Sequence, residues 1–461
     1  MNRILHLGLG SFHRAHQAAY LQRLHDLGAN DWTLAAGNIR PDMTETLAAL
    51  ISQHGEYTLE TVGPDGAKHY ERIRSIKRVV PFDERLTELI DLGAEPATRI
   101  ISFTVTEAGY YLNAANRLDA GHPDIRSDLD DATRSTIYGA LAAILAERMR
   151  RGGAPVTLMS CDNLRSNGSR VRTGLVDFLD HGGQGSLRTW VQEHTTCPNA
   201  MVDRITPRSP PEVAVRVAAA TGWSDRAPVM SERFIQWVIE DNFANGRPVW
   251  ERVGAELVTS VQPYEEAKIR LLNASHSCIA WAGTLIGLRY IHEGARVPAI
   301  RRMAHDYVTD EAIAALRPSP IDLIAYRDVV LDRFTNAHLR DSNERVAMDG
   351  FAKIPGFVLP TLRERLSRGE SIARTAVLPA LFFSFLRCWH EGELDYRYRD
   401  GLMDETAAHA FFEASDPLAA FCRDPVLWGP LAGAPALTEA VRAGDREVRA
   451  FVVASEGTPV R

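Results

Sequence analysis

The chain has 461 residues, of which 45% are hydrophobic and 24% are charged, and its formal net charge is −7. This length predicts two large domains or three small ones, and the composition excludes a disordered, collagenous or membrane protein. The acidic balance argues against a nucleic acid as partner.

Cysteine usage and the N-terminus indicate the compartment. The cysteine count is odd and no pair has CxxC spacing, which is typical of a reducing environment; the five are Cys161, Cys197, Cys278, Cys388 and Cys422. Met1-Asn2-Arg3 runs directly into an apolar stretch, without room for a cleaved leader. The most apolar run, residues 378–386, is too short to cross a membrane. We therefore expect a cytoplasmic protein without a membrane partner.

The first part of the chain alternates strands with helices. Apolar runs predict strands at residues 4–7, 33–36, 100–105 and 156–160, with a helix near residues 16–27. This alternation predicts a parallel α/β sheet. Residues 57–62 and 69–76 flank a Gly63-Pro64-Asp65-Gly66 turn and predict a β-hairpin.

After Pro263 the pattern becomes helical. The predicted helices cover residues 265–290, 323–334, 361–366, 376–389 and 437–453, with few strand-like runs between them. We place a domain boundary near residue 264, which gives domains of residues 1–264 and 265–461.

A glycine turn follows the first strand. Gly8, Gly10, Ser11 and Phe12 stand where backbone N–H groups at the start of a helix hold a pyrophosphate. The third glycine of the GxGxxG pattern is His13 here, so two glycines alone are a weak signal and an ordinary βα turn remains an alternative.

The second strand is followed by an acidic residue. Asp42 predicts binding to the adenosine ribose hydroxyls of NAD. Arg40 stands nearby and is suited to the 2′-phosphate of NADP. We favour NAD.

The segment from Lys268 to His276 carries polar groups within an apolar context. At about 100° per residue, His276 lies about 80° and Asn273 about 140° from Lys268, so the three share one broad face. Oxidation of an alcohol needs a base and donors that stabilise the alkoxide. Glu265 could relay the proton, although Glu265 and Lys268 also suit an i,i+3 surface ion pair, and the whole strip suits a solvated face.

Residues 8–17 and 268–276 resemble the long-chain mannitol dehydrogenase family of polyol-specific dehydrogenases. Residues 104–110, 160–163 and 198–207 agree with family blocks in the expected order. The resemblance covers essentially the whole chain. It implies an α/β fold, with a Rossmann-type dinucleotide-binding N-terminal domain and a mostly α-helical, substrate-binding C-terminal domain. It also implies NAD as cofactor, catalysis without a metal, and favours a monomer.

The resemblance also implies a role for each candidate site residue. Lys268 is the general base, Glu265 the proton gate, and Asn163 and Asn273 form the oxyanion pocket. His276 and Asp203 orient substrate hydroxyls, while Arg345 and Lys353 close the substrate site; the cofactor residues are Gly8, Gly10, Ser11, Phe12 and Asp42.

Met348 bears on the substrate. It stands where a histidine is expected in mannitol-acting members, which argues against a hexitol. Cys197-Pro198-Asn199, residues 273–283 and the chain length are most similar to members that act on D-arabinitol. The favoured reaction is therefore oxidation of D-arabinitol to D-xylulose, with mannitol oxidation as an alternative.

Three other functions remain alternatives. A tagaturonate or fructuronate reductase needs a cation for the carboxylate, and Arg340, Arg345 or Lys353 offers one. A zinc alcohol dehydrogenase needs three protein ligands, and His13, His16, Cys161 and Cys197 lack convincing spacing. The non-enzymatic alternative is a dinucleotide-binding sensor in which Lys268 is only a surface charge.

Overall fold

A computed structural model describes residues 1–113 and 116–456. It divides into two compact units. The first contains residues 1–63 and 67–262, and the second contains residues 64–66 and 263–461.

The strands in the described residues of the first unit form three sheets. Their bounds are β1 (Asn2–Leu7), β2 (Trp32–Gly37), β3 (Tyr57–Val62), β4 (Lys68–Ile73), β5 (Ile76–Val79), β6 (Thr98–Phe103), β7 (Val156–Ser160), β8 (Thr195–Thr196), β9 (Ala200–Asp203), β10 (Val229–Glu232), β11 (Gln236–Glu240) and β12 (Glu256–Val258).

The main sheet has six parallel strands in the order β5-β2-β1-β6-β7-β8. Counted along this sheet, the order is 3-2-1-4-5-6, which is the doubly wound Rossmann arrangement. The chain reverses direction across the sheet between β1 and β6, and ligands of such folds bind at the carboxyl ends of the strands at this point. The predicted parallel sheet and Rossmann-type fold are confirmed.

Helices cover both faces of this sheet. Their bounds are α1 (Ser11–Ala15), α2 (Gln17–Asp26), α3 (Thr44–Ser52), α4 (Thr87–Ala94), α5 (Pro123–Leu129), α6 (Ile137–Arg150), α7 (Asn167–His181), α8 (Gly185–His194) and α9 (Glu212–Thr221). Two separate apolar clusters contain Ile4 and Leu5, neighbours whose side chains point to opposite faces of β1. Burial on both faces explains why the strands read as continuous apolar runs.

The predicted hairpin is confirmed. β3 and β4 pair antiparallel, with Tyr57 opposite Ile73 and Val62 opposite Lys68. β10 adds to β3 in parallel, and β9, β11 and β12 form the third sheet.

The second unit is helical. Its α-helices are α10 (Gln262–Ala267), α11 (Ala274–Leu285), α12 (Ile291–Arg296), α13 (Pro298–Asp306), α14 (Ile313–Leu316), α15 (Leu323–Arg333), α16 (Asn343–Ala347), α17 (Gly350–Lys353), α18 (Leu359–Ser367), α19 (Val377–Glu391), α20 (Glu405–Glu413), α21 (Pro417–Phe421), α22 (Pro425–Trp428) and α23 (Pro435–Glu456). Within residues 263–456, π-helical turns interrupt them at Lys268–Asn273, Tyr307–Ala312 and Ile354–Val358.

Helix α11 lies at the centre of this unit, where it packs against α12, α13, α16 and α19. Its residues are buried on nearly every side, from Ala274 to Gly283. A helix that is apolar all round belongs to the core of a large unit. No helix in the described part of the chain has the length and apolar character needed to span a membrane.

The predicted helix over residues 265–290 is wrong in two respects. It is not one regular helix, because the π-helical turn at Lys268–Asn273 separates α10 from α11. It also ends at Leu285 rather than Tyr290, because Gly287 adopts a left-handed φ of 73° just beyond the end and stops propagation.

Candidate active site

The glycine turn lies at the carboxyl end of β1. Gly8 has a φ of 103°, and a Cβ atom built on it would lie 2.3 Å from the carbonyl oxygen of Thr104 at the end of β6. Gly10 N–H donates to the Gly8 carbonyl at 2.7 Å, and Leu9 N–H donates to Oδ1 of Asn38 at 2.7 Å. Only glycine fits at position 8, and the turn leaves the close backbone approach that a diphosphate group requires.

His13 stands at the position of the third glycine, and it packs against a histidine of β1. Its ring stacks on that of His6, with centroids 3.4 Å apart. Burial lowers the pKa of His6 to about 3 and lowers that of His13 well below its usual value, so both rings are neutral at pH 7. Among the described residues, neither nitrogen of His13 has a hydrogen-bond partner.

His6 holds the Gly8 carbonyl. Its Nδ1 lies 2.9 Å from Oγ of Ser102 and its Nε2 lies 3.0 Å from the Gly8 oxygen. The hydroxyl of Thr104 donates to the same oxygen at 2.8 Å. Sequence reasoning missed His6, and the available signal was a polar residue inside the apolar run of β1.

The other two residues predicted in the turn begin the first helix. Ser11 is the first residue of α1, and Phe12 stacks on His16 with ring centroids 5.0 Å apart. Their contact with a cofactor stays a prediction.

The two charged residues after β2, Arg40 and Asp42, differ in how far they are engaged by other residues. Asp42 is exposed, and Nδ2 of Asn38 donates to its backbone carbonyl at 3.2 Å, so the same amide contacts both the glycine turn and Asp42. Arg40 is already engaged: it lies 2.8 Å from Oδ2 of Asp124 and donates to the Ser135 carbonyl at 2.9 Å. The exposed Asp42 is therefore more available to a ribose than Arg40 is to a phosphate.

Asn163 and Asp203 both belong to the first unit. Asn163 is exposed in the loop after β7, next to the buried Asp162, whose carboxylate accepts from the N–H groups of Val105 and Thr106 at 2.9–3.1 Å. Asp203 is buried at the end of β9. Asp162 thus ties the loop after β7 to the loop after β6.

The second unit places Lys268 and Asn273 in one π-helical turn. The N–H of Ala274 bonds to the carbonyl of Ile269, five residues earlier, where an α-helix would bond four residues earlier. Because such a turn contains more residues than an α-helical turn, Asn273 stands at a smaller angle from Lys268 than the 140° of a regular α-helix. The regular-helix angles expected from the sequence are therefore wrong for this pair, and the two polar groups lie closer to one face than predicted.

This turn is buried. Lys268 and Glu265 are each 6% exposed, so the expectation of a surface ion pair on a solvated strip is wrong. Arg270 is also buried, and it donates to Glu266 at 2.7 Å and to both oxygens of Glu364 at 2.7 and 2.8 Å. Tyr307 donates to the Arg270 carbonyl at 2.9 Å. These contacts fix the turn that carries the candidate base.

His276 lies one turn further along, at the start of α11. Its Nε2 is 3.1 Å from Oδ2 of Asp341, and its ring stacks on Phe334 at 4.7 Å between centroids. Burial lowers the pKa of His276 despite the nearby carboxylate. Burial alone raises the pKa of Asp341, but contacts with His276 and Arg345 bring it down to about 2.

Arg345 and Lys353 belong to the same unit. Arg345 donates through Nε and Nη2 to the two oxygens of Asp341 at 2.7 and 2.8 Å. Nζ of Lys353 donates to the Val346 carbonyl at 2.5 Å, and burial lowers the Lys353 pKa to about 8. Met348 is half-buried, and its sulfur accepts from the Arg399 N–H at 3.1 Å.

The two histidines considered as zinc ligands have other contacts. His13 stacks on His6, and His16 contacts the Gln236 carbonyl at 3.0 Å. Within residues 1–113 and 116–456, no group of three or more His, Cys, Asp or Glu side chains is arranged to hold a metal ion.

The doubly wound sheet, the glycine turn at its reversal point and the buried lysine define a Rossmann-type dehydrogenase. Residues 2–252 match the mannitol dehydrogenase Rossmann domain, and residues 260–448 match the mannitol dehydrogenase C-terminal domain. The chain belongs to the mannitol dehydrogenase family, as the sequence resemblance predicted, and it is a polyol dehydrogenase.

Three relatives illustrate the similarity. D-arabinitol 4-dehydrogenase of Ralstonia nicotianae is 60% identical over 450 residues, which cover 97% of each chain. D-arabinitol 4-dehydrogenase of Klebsiella pneumoniae is 54% identical, with 93% of this chain and 94% of that protein covered. The solved ternary complex of Pseudomonas fluorescens mannitol 2-dehydrogenase with NAD and D-mannitol is 33% identical, with a TM-score of 0.84 over 98% of this chain and 93% of that one.

Proposed function

We propose that this enzyme oxidises D-arabinitol to D-xylulose, with NAD as the hydride acceptor and Lys268 as the general base. The single observation that carries the chemistry is the burial of Lys268 in the π-helical turn that also contains Asn273. The choice of pentitol is supported by the two relatives that are 60% and 54% identical, both D-arabinitol 4-dehydrogenases.

The chain's own residues provide the acid–base part of the reaction. Lys268 is buried, and its amine takes the proton of the substrate hydroxyl in this proposal. The amide groups of Asn273 and Asn163 donate hydrogen bonds to the oxygen as negative charge develops on it. Glu265, equally buried one turn earlier, passes the proton from Lys268 towards solvent.

The redox balance requires a hydride acceptor. When bound, the oxidised nicotinamide ring supplies that acceptor for the hydride that leaves the carbinol carbon. The alcohol loses two electrons and two hydrogens, one as hydride and one as the proton taken by Lys268, and becomes a ketone.

The first unit fits a dinucleotide. The turn leaves no space for a side chain at Gly8, and the amide of Asn38 links this turn to Asp42. NAD rather than NADP is supported by Arg40, which is engaged with Asp124 and the Ser135 carbonyl. Asp203, His276, Arg345 and Lys353 are proposed to contact the substrate hydroxyls.

We further propose that the reaction needs no metal and takes place in the cytoplasm, in a monomer. A buried lysine base supports the first point, since it replaces the Lewis acid of a zinc enzyme. Five cysteines without a disulfide support the second. Light scattering should give a mass near 51.1 kDa if the monomer is correct.

One panel of assays tests the proposal. NADH formation is measured with D-arabinitol, D-mannitol, D-sorbitol and xylitol, and then repeated with NADP and after exhaustive chelation. We expect the highest kcat/KM with D-arabinitol and NAD, and no loss after chelation. A preference for D-mannitol would contradict the substrate, and NAD binding without oxidation of any polyol would favour the sensor.

A further inference from the structure

We propose that Asp341 is a positioning residue that fixes the protonated nitrogen of His276 and neutralises Arg345, so that the site accepts an uncharged polyol and disfavours a sugar acid. This inference rests on the proposed function, in which His276 and Arg345 contact the substrate. Asp341 itself is not expected to touch it.

Asp341 lies between the two residues that it would control. Its Oδ2 is 3.1 Å from Nε2 of His276, and both of its oxygens accept from the guanidinium of Arg345. The carboxylate is only 8% exposed, whereas the side chain of Arg345 is 61% exposed. The buried carboxylate thus lies between a largely buried imidazole and an exposed arginine.

The backbone around Asp341 is held rigidly. Ile291 N–H donates to the Asp341 carbonyl at 2.9 Å, and Nδ2 of Asn343 donates to the Leu288 carbonyl at 2.9 Å. A Cβ atom at Gly283 of α11 would lie 2.6 Å from that same Nδ2. Glycine at this position lets α16 approach the helix that carries His276, which fixes the distance between Asp341 and the imidazole.

The contact with Asp341 selects one tautomer of His276. Nε2 lies 3.1 Å from Oδ2 of Asp341 without the alignment of a hydrogen bond, and the negative charge of the carboxylate favours the tautomer that carries its proton on Nε2. Nδ1 of the neutral ring is then an acceptor, which suits the hydroxyl of a polyol as donor. Stacking on Phe334 keeps the ring plane from rotating.

The contact with Arg345 sets the charge of the site. A free guanidinium pairs with a substrate carboxylate through two parallel hydrogen bonds. In this structure Asp341 already accepts from two of the five N–H donors, through Nε and Nη2, and its negative charge offsets that of the guanidinium. A sugar acid must therefore compete with a buried carboxylate, while a neutral polyol does not.

The variant Asp341→Asn tests both parts, because it keeps the size of the side chain and removes its charge. We expect kcat for D-arabinitol to fall about 10- to 100-fold with NADH affinity unchanged, since supporting groups of site residues commonly have effects of this size. Inhibition by D-arabinonate should become about tenfold tighter, because Arg345 is released to pair with its carboxylate.

Asp445→Asn is a matched control. Asp445 is also buried, and it accepts from Arg449 four residues later at 2.8 Å, but this pair lies on α23 and involves no histidine. We expect neither kcat nor inhibition by D-arabinonate to change. A second variant, Asp341→Glu, keeps the charge and should retain the weak D-arabinonate inhibition while kcat falls.

A double-mutant cycle with His276→Asn separates the possible failures. If Asp341 acts through His276, the double variant loses about as much kcat as His276→Asn alone. Full activity of His276→Asn would contradict the proposed function. A large loss in His276→Asn together with unchanged kinetics in Asp341→Asn, or strictly additive losses, would overturn only the present inference. So would failure of both Asp341 variants to fold while Asp445→Asn folds, since it would assign a purely structural role.

Discussion

Replacing Gly8 with alanine should weaken dinucleotide binding far more than it weakens the chemical step. Gly8 has a φ of 103°, which side chains rarely adopt, and a new Cβ atom would lie 2.3 Å from the carbonyl oxygen of Thr104. That oxygen is backbone at the end of a central strand, so it cannot rotate away. The turn must instead move until the two atoms are at least 3.0 Å apart.

The size of the effect follows from these two terms. A side chain at such a φ costs about 1–3 kcal/mol, and relief of the backbone overlap adds to it, for a total of about 2–4 kcal/mol. If the free protein relaxes by opening the turn, binding must restore the strained form. The dissociation constant for NADH should then rise by roughly 30-fold to several hundredfold.

Titration of NADH fluorescence measures this affinity, and kcat at saturating NAD measures the chemistry. Gly28→Ala is the control, since Gly28 has a φ of 83° but no atom within 4 Å of its Cβ position. It should lower stability by about 1 kcal/mol and leave NADH affinity unchanged. Equal NADH affinity in Gly8→Ala and the wild-type protein would refute the assignment of this turn to the cofactor.

Three further results are expected. Lys268→Met should reduce kcat about 100- to 10,000-fold in steady-state assays while NADH titration stays near wild type, because a general base contributes that much; parallel loss of NADH binding would indicate a structural lysine. Arg270→Met should destabilise the second unit by about 3 kcal/mol, the low end of the range for a broken buried ion pair, because Glu364 is partly exposed. Its Tm, measured by calorimetry, should fall by roughly 6–12 °C. An unchanged Tm would count against the proposed role of this ion pair. Because the pKa of Asp341 is lowered to about 2, its contribution of about 2 kcal/mol to the free energy of unfolding is present above pH 4 and is lost between about pH 4 and 2. The free energy of unfolding of Asp341→Asn should therefore fall less steeply over that pH range than that of the wild-type protein. Identical dependence on pH in the two proteins would argue against this contribution.

The fold was largely predictable because its signals are local. An apolar run followed by Gly8 and Gly10 predicts a strand and its turn, and the β3–β4 hairpin follows from two strand patterns around Gly63-Pro64-Asp65-Gly66. The helical character after Pro263 is likewise present in the spacing of apolar residues. Each of these features depends on neighbours in sequence.

The candidate site was less predictable because it depends on tertiary contacts. The π-helical turn at Lys268–Asn273 leaves no pattern distinct from an α-helix, and its contacts with Glu364 and Tyr307 join it to distant parts of the chain. Asp341 is far from His276 in sequence, so their contact follows from the approach of α16 to α11. The stack of His13 on His6 similarly joins a helix to a strand, which periodicity does not reveal.

The π-helical turn also bears on how this segment tolerates a change in chain length. Removing one residue between Lys268 and Asn273 would place them four apart, and four residues of an ordinary α-helix span about 400°, so the lysine and the amide would still share one face. A homologue one residue shorter would therefore keep this pair together without a π-helical turn. When such sequences are aligned, a single gap here is not by itself a sign of lost catalysis.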